Sequence, residues 1–358
     1  MSEWKEVRLG DVLDFHRGYD LPKSEMENGD IPVAGSNGII GFHNKATAIT
    51  PCITIGRSGS IGQPFYYERA WAHNTVLYID DFKGNNPKFL YYLIKILPIS
   101  NFAGGSAVPS LNRNHIHPLV IKFCDDIEKQ KEIAGILSSL DAKIETNNKL
   151  NEKLEEMAQA IFKSWLDGCD ETVQIDDLSL NITDYSKLNK DKVILINSSD
   201  VTNGFFDHHN YSDNNKLKGH FKKRFSKGDI LYSQVRPRNR HWAYCYFDAE
   251  DYIASTQLMV IRNNPEKVSS LLLYQYLISD RVWNEFTLKT ETRSGTFPQG
   301  NYEDLSKICV PYKKDNEKIS KTLEHIYNII YNRYDENQRL ASLRDTLLPR
   351  LMSGELIV

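Results

Sequence analysis

Two stretches of the chain repeat apolar residues at spacings that alternate between four and three. The first runs from about Asp126 to Leu166 and the second from about Lys313 to Ser353. That alternation is the heptad rule of paired helices, and it predicts two long amphipathic helices. A shift of 186 residues superimposes them without a gap. Ile133 then meets Ile319, Leu137 meets Leu323, Ile144 meets Ile330, Leu154 meets Leu340 and Trp165 meets Leu351. Both seams turn polar at the same places, Asn147 and Asn151 in one and Arg333 and Asn337 in the other. Polar residues at seam positions cost stability and fix register, so a matched interruption predicts that the helices pair with each other.

The segments ahead of the two helices also correspond. "VRLGDVLDF" at 7–15 resembles "VQIDDLSLN" at 173–181, and "CITIGRSGSIG" at 52–62 lies where "DILYSQVRPRN" does at 229–239. "HNTVLYID" at 73–80 matches "ASTQLMVIR" at 254–262. Short β-branched runs such as "KVILIN" and "QLMVIR" read as strands, with one or two helices among them. The expected fold class is therefore α/β, as two mixed α+β globules separated by two long antiparallel coiled-coil helices in a pseudo-twofold internal repeat. The expected boundaries are 1–125 for the first globule, 126–168 for the first helix, 169–312 for the second globule and 313–358 for the second helix. Compact globules tend to have their ends close together, so the second helix should return along the first. Superposing the polar layers antiparallel sets Asn147 against Asn337, Asn151 against Arg333, Ile133 against Leu351 and Trp165 against Ile319. Each helix would be roughly 60 Å long at ~1.5 Å per residue, with the globules held at its opposite ends.

At 358 residues the chain can build two or three cored domains. No apolar run approaches a membrane span, and "MSEWKEVRLGDV" does not read as a signal peptide. The five cysteines, Cys52, Cys124, Cys169, Cys245 and Cys309, are scattered without a CxxC, which fits a reducing cytoplasm better than a disulfide or zinc framework. Net charge is −3, so a general affinity for polyanions is not expected from the total. Local patches matter more. "FKKRFSKGDILYSQVRPRNRHW" at 221–242 gathers Lys222, Lys223, Arg224, Lys227, Arg236, Arg238 and Arg240, with Asp229 as its one acid.

The globule–helix repeat, the segments "GSAVPSLN" and "SGTFPQGN" ahead of each helix, and the ending "LLPRLMSGEL" resemble the specificity subunits of type I restriction–modification systems. The resemblance covers essentially the whole chain. It implies that each globule is a target recognition domain reading one half of a bipartite sequence in double-stranded DNA, with the helical pair fixing the spacing. It further implies a non-catalytic subunit that docks two methyltransferase subunits and, through them, restriction subunits. Cofactors are then expected on those partners (S-adenosylmethionine, ATP and Mg), with none held by this chain.

The residue types agree with this reading. Lys222, Lys223, Arg224 and Lys227 suit phosphates, which supply affinity with little sequence choice. Gln234, Arg236, Arg238, Asn239 and Arg240 are types that reach base edges, Arg to guanine and Gln or Asn to adenine. In the first globule the equivalent glycine-rich turn "GRSGSIGQ" offers Arg57, Ser58, Ser60 and Gln63. A third loop offers Ser106 and Arg113 in the first globule and Arg293, Ser294 and Thr296 in the second as backbone contacts. A solvated basic loop is the plain alternative for the 221–242 stretch, a common glycine-rich turn for 56–63, and a structural turn for the third loop.

Other chemistry finds little support. "NNPKF" at 85–89 superficially resembles an amino-methyltransferase motif, but a second "NNP" at 263–265 also precedes an apolar helical stretch. Both read as helix starts, with Asn as the cap and Pro in the first turn. No P-loop is present. His115 and His117 lack a nearby third ligand, and "DHHN" at 207–210 is read the same way. The competing function is a non-catalytic scaffold whose two globules bind ligands other than nucleic acid. Such a scaffold has no need of the basic stretch.

Overall fold

The computed structural model describes residues 4–104, 109–214, 219–292 and 298–356. Both long helices form, over Ile127–Leu166 and Glu317–Met352. Asp126 closes the start of the first: its carboxylate accepts from the N–H groups of Glu128 and Lys129 at 3.0 and 3.3 Å. These are donors that a helix start otherwise leaves unpaired. The second helix begins at Glu317 because Asn316 folds back first. Its side-chain nitrogen donates to the carbonyls of Lys267 at 2.8 Å and Lys313 at 3.3 Å. The chain divides into two compact units, residues 1–147 with 335–358 and residues 148–334, so each long helix contributes to both.

In the first unit, Trp4–Arg8 pairs antiparallel with Val120–Cys124, which brings the two ends of the globule together. A four-stranded antiparallel sheet runs in the order His16–Arg17, Val76–Ile79, Cys52–Gly56, Pro64–Tyr67. A smaller sheet sets Ile31–Gly35 antiparallel to Gly38–His43 and parallel to Trp71–Ala72. The helix Pro87–Ile96 starts as expected, with Asn86 Oδ1 accepting from the Phe89 N–H at 3.0 Å. Its buried Phe89 and Leu93 join Ile53 and Ile55 in a core completed by Ile133 and Leu137 of the first long helix and Leu348 and Leu351 of the second. Burying each such side chain contributes about 1.5–3 kcal/mol.

The pairing in this unit is antiparallel, and its register is the expected one. Asn147 is fully buried, and its Nδ2 donates to Asn337 Oδ1 and to Glu336 Oε2, both at 2.8 Å. Two turns toward the globule, Arg344 donates to Asp141 at 2.6 Å, while the Tyr92 hydroxyl donates to the other Asp141 oxygen at 2.6 Å. One carboxylate thus ties the globule helix to both long helices. Past the second helix, Gly354 has φ +70° and lies against Trp4; a Cβ there would come within 2.3 Å of the indole nitrogen.

The second unit repeats this plan. Glu171–Gln174 pairs with Cys309–Tyr312. A four-stranded antiparallel sheet runs Ser179–Asn181, Leu258–Asn263, Ile230–Ser233, Trp242–Tyr244, the same order with equivalent strands. A second sheet sets Lys192–Ile196 antiparallel to Tyr211–Asp213 and parallel to Tyr252–Ser255. The counterpart of the Tyr92–Asp141 link is a buried chain from Gln275 to the Tyr327 hydroxyl at 2.6 Å and from Tyr327 to Glu155 at 3.2 Å. Burial raises the Glu155 carboxyl above its ordinary range, against the lowering effect of that Tyr327 hydrogen bond. Trp165 packs on the core that contains Ile319. Asn151 donates to the Ile330 carbonyl at 3.2 Å, and its Oδ1 is buried without a partner. Arg333, expected opposite Asn151, is partly buried.

The second "NNP" departs from the expectation of a helix start. Asn264 Oδ1 accepts from the Glu266 N–H at 3.2 Å, and Asn263 Nδ2 donates to the Val268 carbonyl at 2.7 Å, which closes a turn. The helix begins only at Ser270, where Ser269 is the cap.

Candidate nucleic-acid interface

The two central strands of the equivalent sheets, Cys52–Gly56 and Ile230–Ser233, each deliver the chain into a candidate loop. The first residue after each strand sits in the same backbone frame. The Arg57 N–H donates to the Thr75 carbonyl at 2.8 Å, and the Gln234 N–H donates to the Gln257 carbonyl at 2.9 Å. The Arg57 carbonyl accepts from the Leu111 N–H at 2.8 Å, and the Gln234 carbonyl accepts from the Gly300 N–H at 2.8 Å. The next residues form matching bridges, Ser58 with Ser110 and Val235 with Gln299. Both Arg57 and Gln234 are half-buried.

In the first globule the loop is held tight. A Cβ at Gly56 would meet the Ser60 carbonyl oxygen at 1.7 Å, so only glycine fits there. Ser36 Oγ donates to the Ser58 and Thr75 carbonyls. Ser60 and Gln63 are exposed on the turn. Arg57 and Arg113 line one cleft, where they are joined by Arg17, Asn112 and His115. Arg113 Nη1 donates to the Phe15 carbonyl at 3.1 Å, and Arg57 Nη1 lies 3.4 Å from the Asn74 carbonyl. Arg17 was not singled out by spacing, because it lies on an edge strand far from the loop in sequence. The other members of the third-loop set, Ser106, Arg293, Ser294 and Thr296, lie outside the described residues.

In the second globule the loop is strained and braced. Arg236 and Arg240 both take left-handed backbone conformations, at φ 48° and 52°, around a short turn at Pro237–Asn239. Non-glycine residues held this way cost stability and concentrate at functional positions. The brace comes from the helix Asp280–Glu291. Trp283 Nε1 donates to the Pro237 carbonyl at 2.9 Å, the Arg240 guanidinium lies 4.1 Å from the Trp283 ring centre, and Asp280 accepts from Arg240 at 3.2 Å. Arg238 makes a two-pronged bond to Glu291, in which Nη2 donates to Oε2 at 2.7 Å. That pairing holds the Glu291 carboxyl below its ordinary range and raises Arg238. Asn239 is exposed at the tip. Trp283 and Glu291 were invisible to sequence spacing, since they reach the loop from a helix some fifty residues on, as the Arg238–Glu291 separation of 53 shows.

The phosphate-type cations divide. Lys222 and Lys227 are exposed. Lys223 is not at the surface as expected: it is 6% exposed, and its ammonium donates to the Leu258 carbonyl at 2.7 Å. Burial lowers its pKa. Arg224 Nη2 is engaged by the Glu250 carbonyl at 2.7 Å. The single acid of the stretch does not neutralise the patch either. Asp229 is fully buried, taking Arg262 Nε at 2.6 Å, Arg262 Nη2 at 2.8 Å and the Ser226 N–H at 2.7 Å. The described residues hold no group of three or more His, Cys, Asp or Glu placed to bind a metal ion. No helix among them is long and apolar enough to cross a membrane.

A family profile described as "Type I restriction modification DNA specificity domain" matches residues 1–156 and again 171–341. The chain is 34% identical over 176 residues to the type I restriction enzyme HindI specificity subunit of Haemophilus influenzae, an alignment covering 48% of this chain and 38% of that one. It thus aligns with well under half the length of that relative. It is 23% identical over 309 residues to the type I restriction enzyme MjaIX specificity subunit of Methanocaldococcus jannaschii, covering 76% of this chain and 69% of that one. A crystal structure of the type I restriction–modification S subunit from M. genitalium shares the fold, with a TM-score of 0.67 at 16% identity over 98% of this chain and 96% of that one.

Proposed function

Since the chain belongs to the type I restriction–modification DNA specificity family, we propose that it is the subunit that selects the DNA sequence for a type I complex. Each globule reads one half of a bipartite target in double-stranded DNA, and the paired helices set the unread spacer. The observation that carries this reading is the duplicated loop frame, in which Arg57 and Gln234 leave equivalent strands with the same backbone bonds. Exposed cations precede that frame along the chain in the second globule, at Lys222 and Lys227, and an arginine-lined cleft adjoins it in the first. Phosphate contacts would position the duplex, and the loop side chains would discriminate bases.

In this reading the chain contributes recognition and its partners contribute chemistry. Two methyltransferase subunits dock on it and carry S-adenosylmethionine. Restriction subunits join through them and use ATP and Mg. The complex works in the cytoplasm. The test is co-expression with a type I methyltransferase subunit in a host lacking its own, followed by mapping of methylated adenines. The reading expects one bipartite sequence with a fixed spacer, present only when this chain is present. Methylation that is absent, or that does not depend on the chain, would overturn it.

A further inference from the structure

Arg57 and Gln234 occupy one structural position in two copies of the same sheet, yet they carry different chemistry. The match is made by the backbone: strand order, two hydrogen bonds and the following bridge coincide residue for residue. A side chain leaving that frame therefore starts from the same place relative to its own sheet in each globule. Arginine presents a fork of donors and matches the O6 and N7 acceptors of guanine. Glutamine presents one donor and one acceptor and matches N7 and the N6 amine of adenine. The surroundings sharpen the difference. Arg57 shares its cleft with Arg17 and Arg113, and no carboxylate is among the described residues lining it, so the cleft favours an edge of acceptors.

We propose that Arg57 and Gln234 are equivalent base readers, the first selecting a guanine in one half-site and the second an adenine in the other. This rests on the reading of the chain as a DNA-specificity subunit, and it adds which position reads and what it reads. It also makes the two half-sites unlike at equivalent positions, even though the folds that read them repeat.

The experiment maps methylated adenines for the complex carrying the unaltered chain, Arg57→Gln, or Gln234→Arg. The unaltered complex should show at least one specified G·C pair in one half-site and one specified A·T pair in the other. R57Q should convert a single G·C requirement to A·T in one half, and Q234R should convert a single A·T requirement to G·C in the other. In each case the untouched half and the spacer should persist. Unchanged sequences in both variants, or a change in the wrong half, would overturn the proposal. If a variant methylates nothing, binding by the unaltered complex decides instead. Replacing guanines one at a time by 7-deazaguanine removes the N7 acceptor, and one guanine should cost roughly tenfold to a hundredfold in affinity. That sensitivity should disappear in R57A. No sensitive guanine in either half-site would overturn the proposal. A complex that yields no chain-dependent sequence at all would instead refute the functional reading beneath it.

Discussion

Truncating Asn147 tests the helix pairing most sharply. The side chain is fully buried and makes two 2.8 Å bonds, to Asn337 and Glu336. Asn147→Ala removes both bonds. A lost bond to a neutral group is worth about 1 kcal/mol and one to a charged group about 1.5–3. We therefore expect N147A to weaken the local helix pair by about 2.5–4 kcal/mol, and N337A by about 1. The double variant should cost less than the sum, by about 1 kcal/mol, because the shared bond can be lost only once. Because two compact units need not unfold as one, the assay should be local. Hydrogen exchange resolved on peptides covering 133–151 and 335–350 reports the opening free energy of this segment. Costs that add to within about 0.5 kcal/mol would show that the two asparagines are not coupled. Replacing both by Leu should leave the pair as stable or more so while weakening its choice of register.

Three further outcomes follow from particular side chains. Glu155 has a raised folded pKa, so the unfolded state gives up its proton first and stability falls as pH rises from the ordinary carboxylate range through the raised value. Glu155→Gln should therefore match the parent in acid and become the more stable protein above that window in urea titrations; a gap that widens toward low pH would contradict this. Lys222→Ala should weaken binding of the assembled complex to all DNA and flatten its salt slope by about one unit, whereas Lys223→Met should leave the slope unchanged. An equal flattening in Lys223→Met would show that the buried lysine does reach phosphate, and an unchanged slope in Lys222→Ala would show that Lys222 does not. Inserting seven residues into both long helices beside Asn147 and Asn337 keeps the heptad register and adds about 10 Å of helix. At ~3.4 Å per base pair the methylated sequence should keep both halves and gain about three spacer pairs. A four-residue insertion, which breaks the seam, should be the more damaging, and an active heptad variant with the old spacer would show that the helices do not set the distance.

The long helices were the most legible part of the sequence, because a seam of apolar residues sustained over many turns leaves one face to bury. Its polar interruption then fixed the partner, as Asn147 against Asn337 shows. The globules were legible as a duplication and less so in detail. The first NNP caps a helix at Asn86, while the second closes a turn at Asn264 that the bond from Asn263 to Val268 helps to hold. Charge density misled at Lys223. It sits in the three-residue strand Phe221–Lys223, and the pleat turns its side chain inward, where the Leu258 carbonyl receives it. The same density hid the fact that Asp229 serves Arg262 rather than its cationic neighbours. Arg17, Trp283 and Glu291 reach the loops through strand pairing and helix packing, which no local spacing reports. The equivalence of Arg57 and Gln234 lay between these extremes. Alignment of the segments suggested it, and the paired bonds to Thr75 and Gln257 made it specific.

The central claim is that each globule reads its own half of the target. It is tested most directly by exchanging the whole second globule, residues 169–312, for the corresponding segment of a family member with a different target, and mapping methylated adenines in cells that also carry the methyltransferase subunit. The account predicts a hybrid sequence: one half-site becomes the donor's, while the other half-site stays as it was. An active exchange protein that keeps its original sequence, or that changes both halves at once, would contradict it.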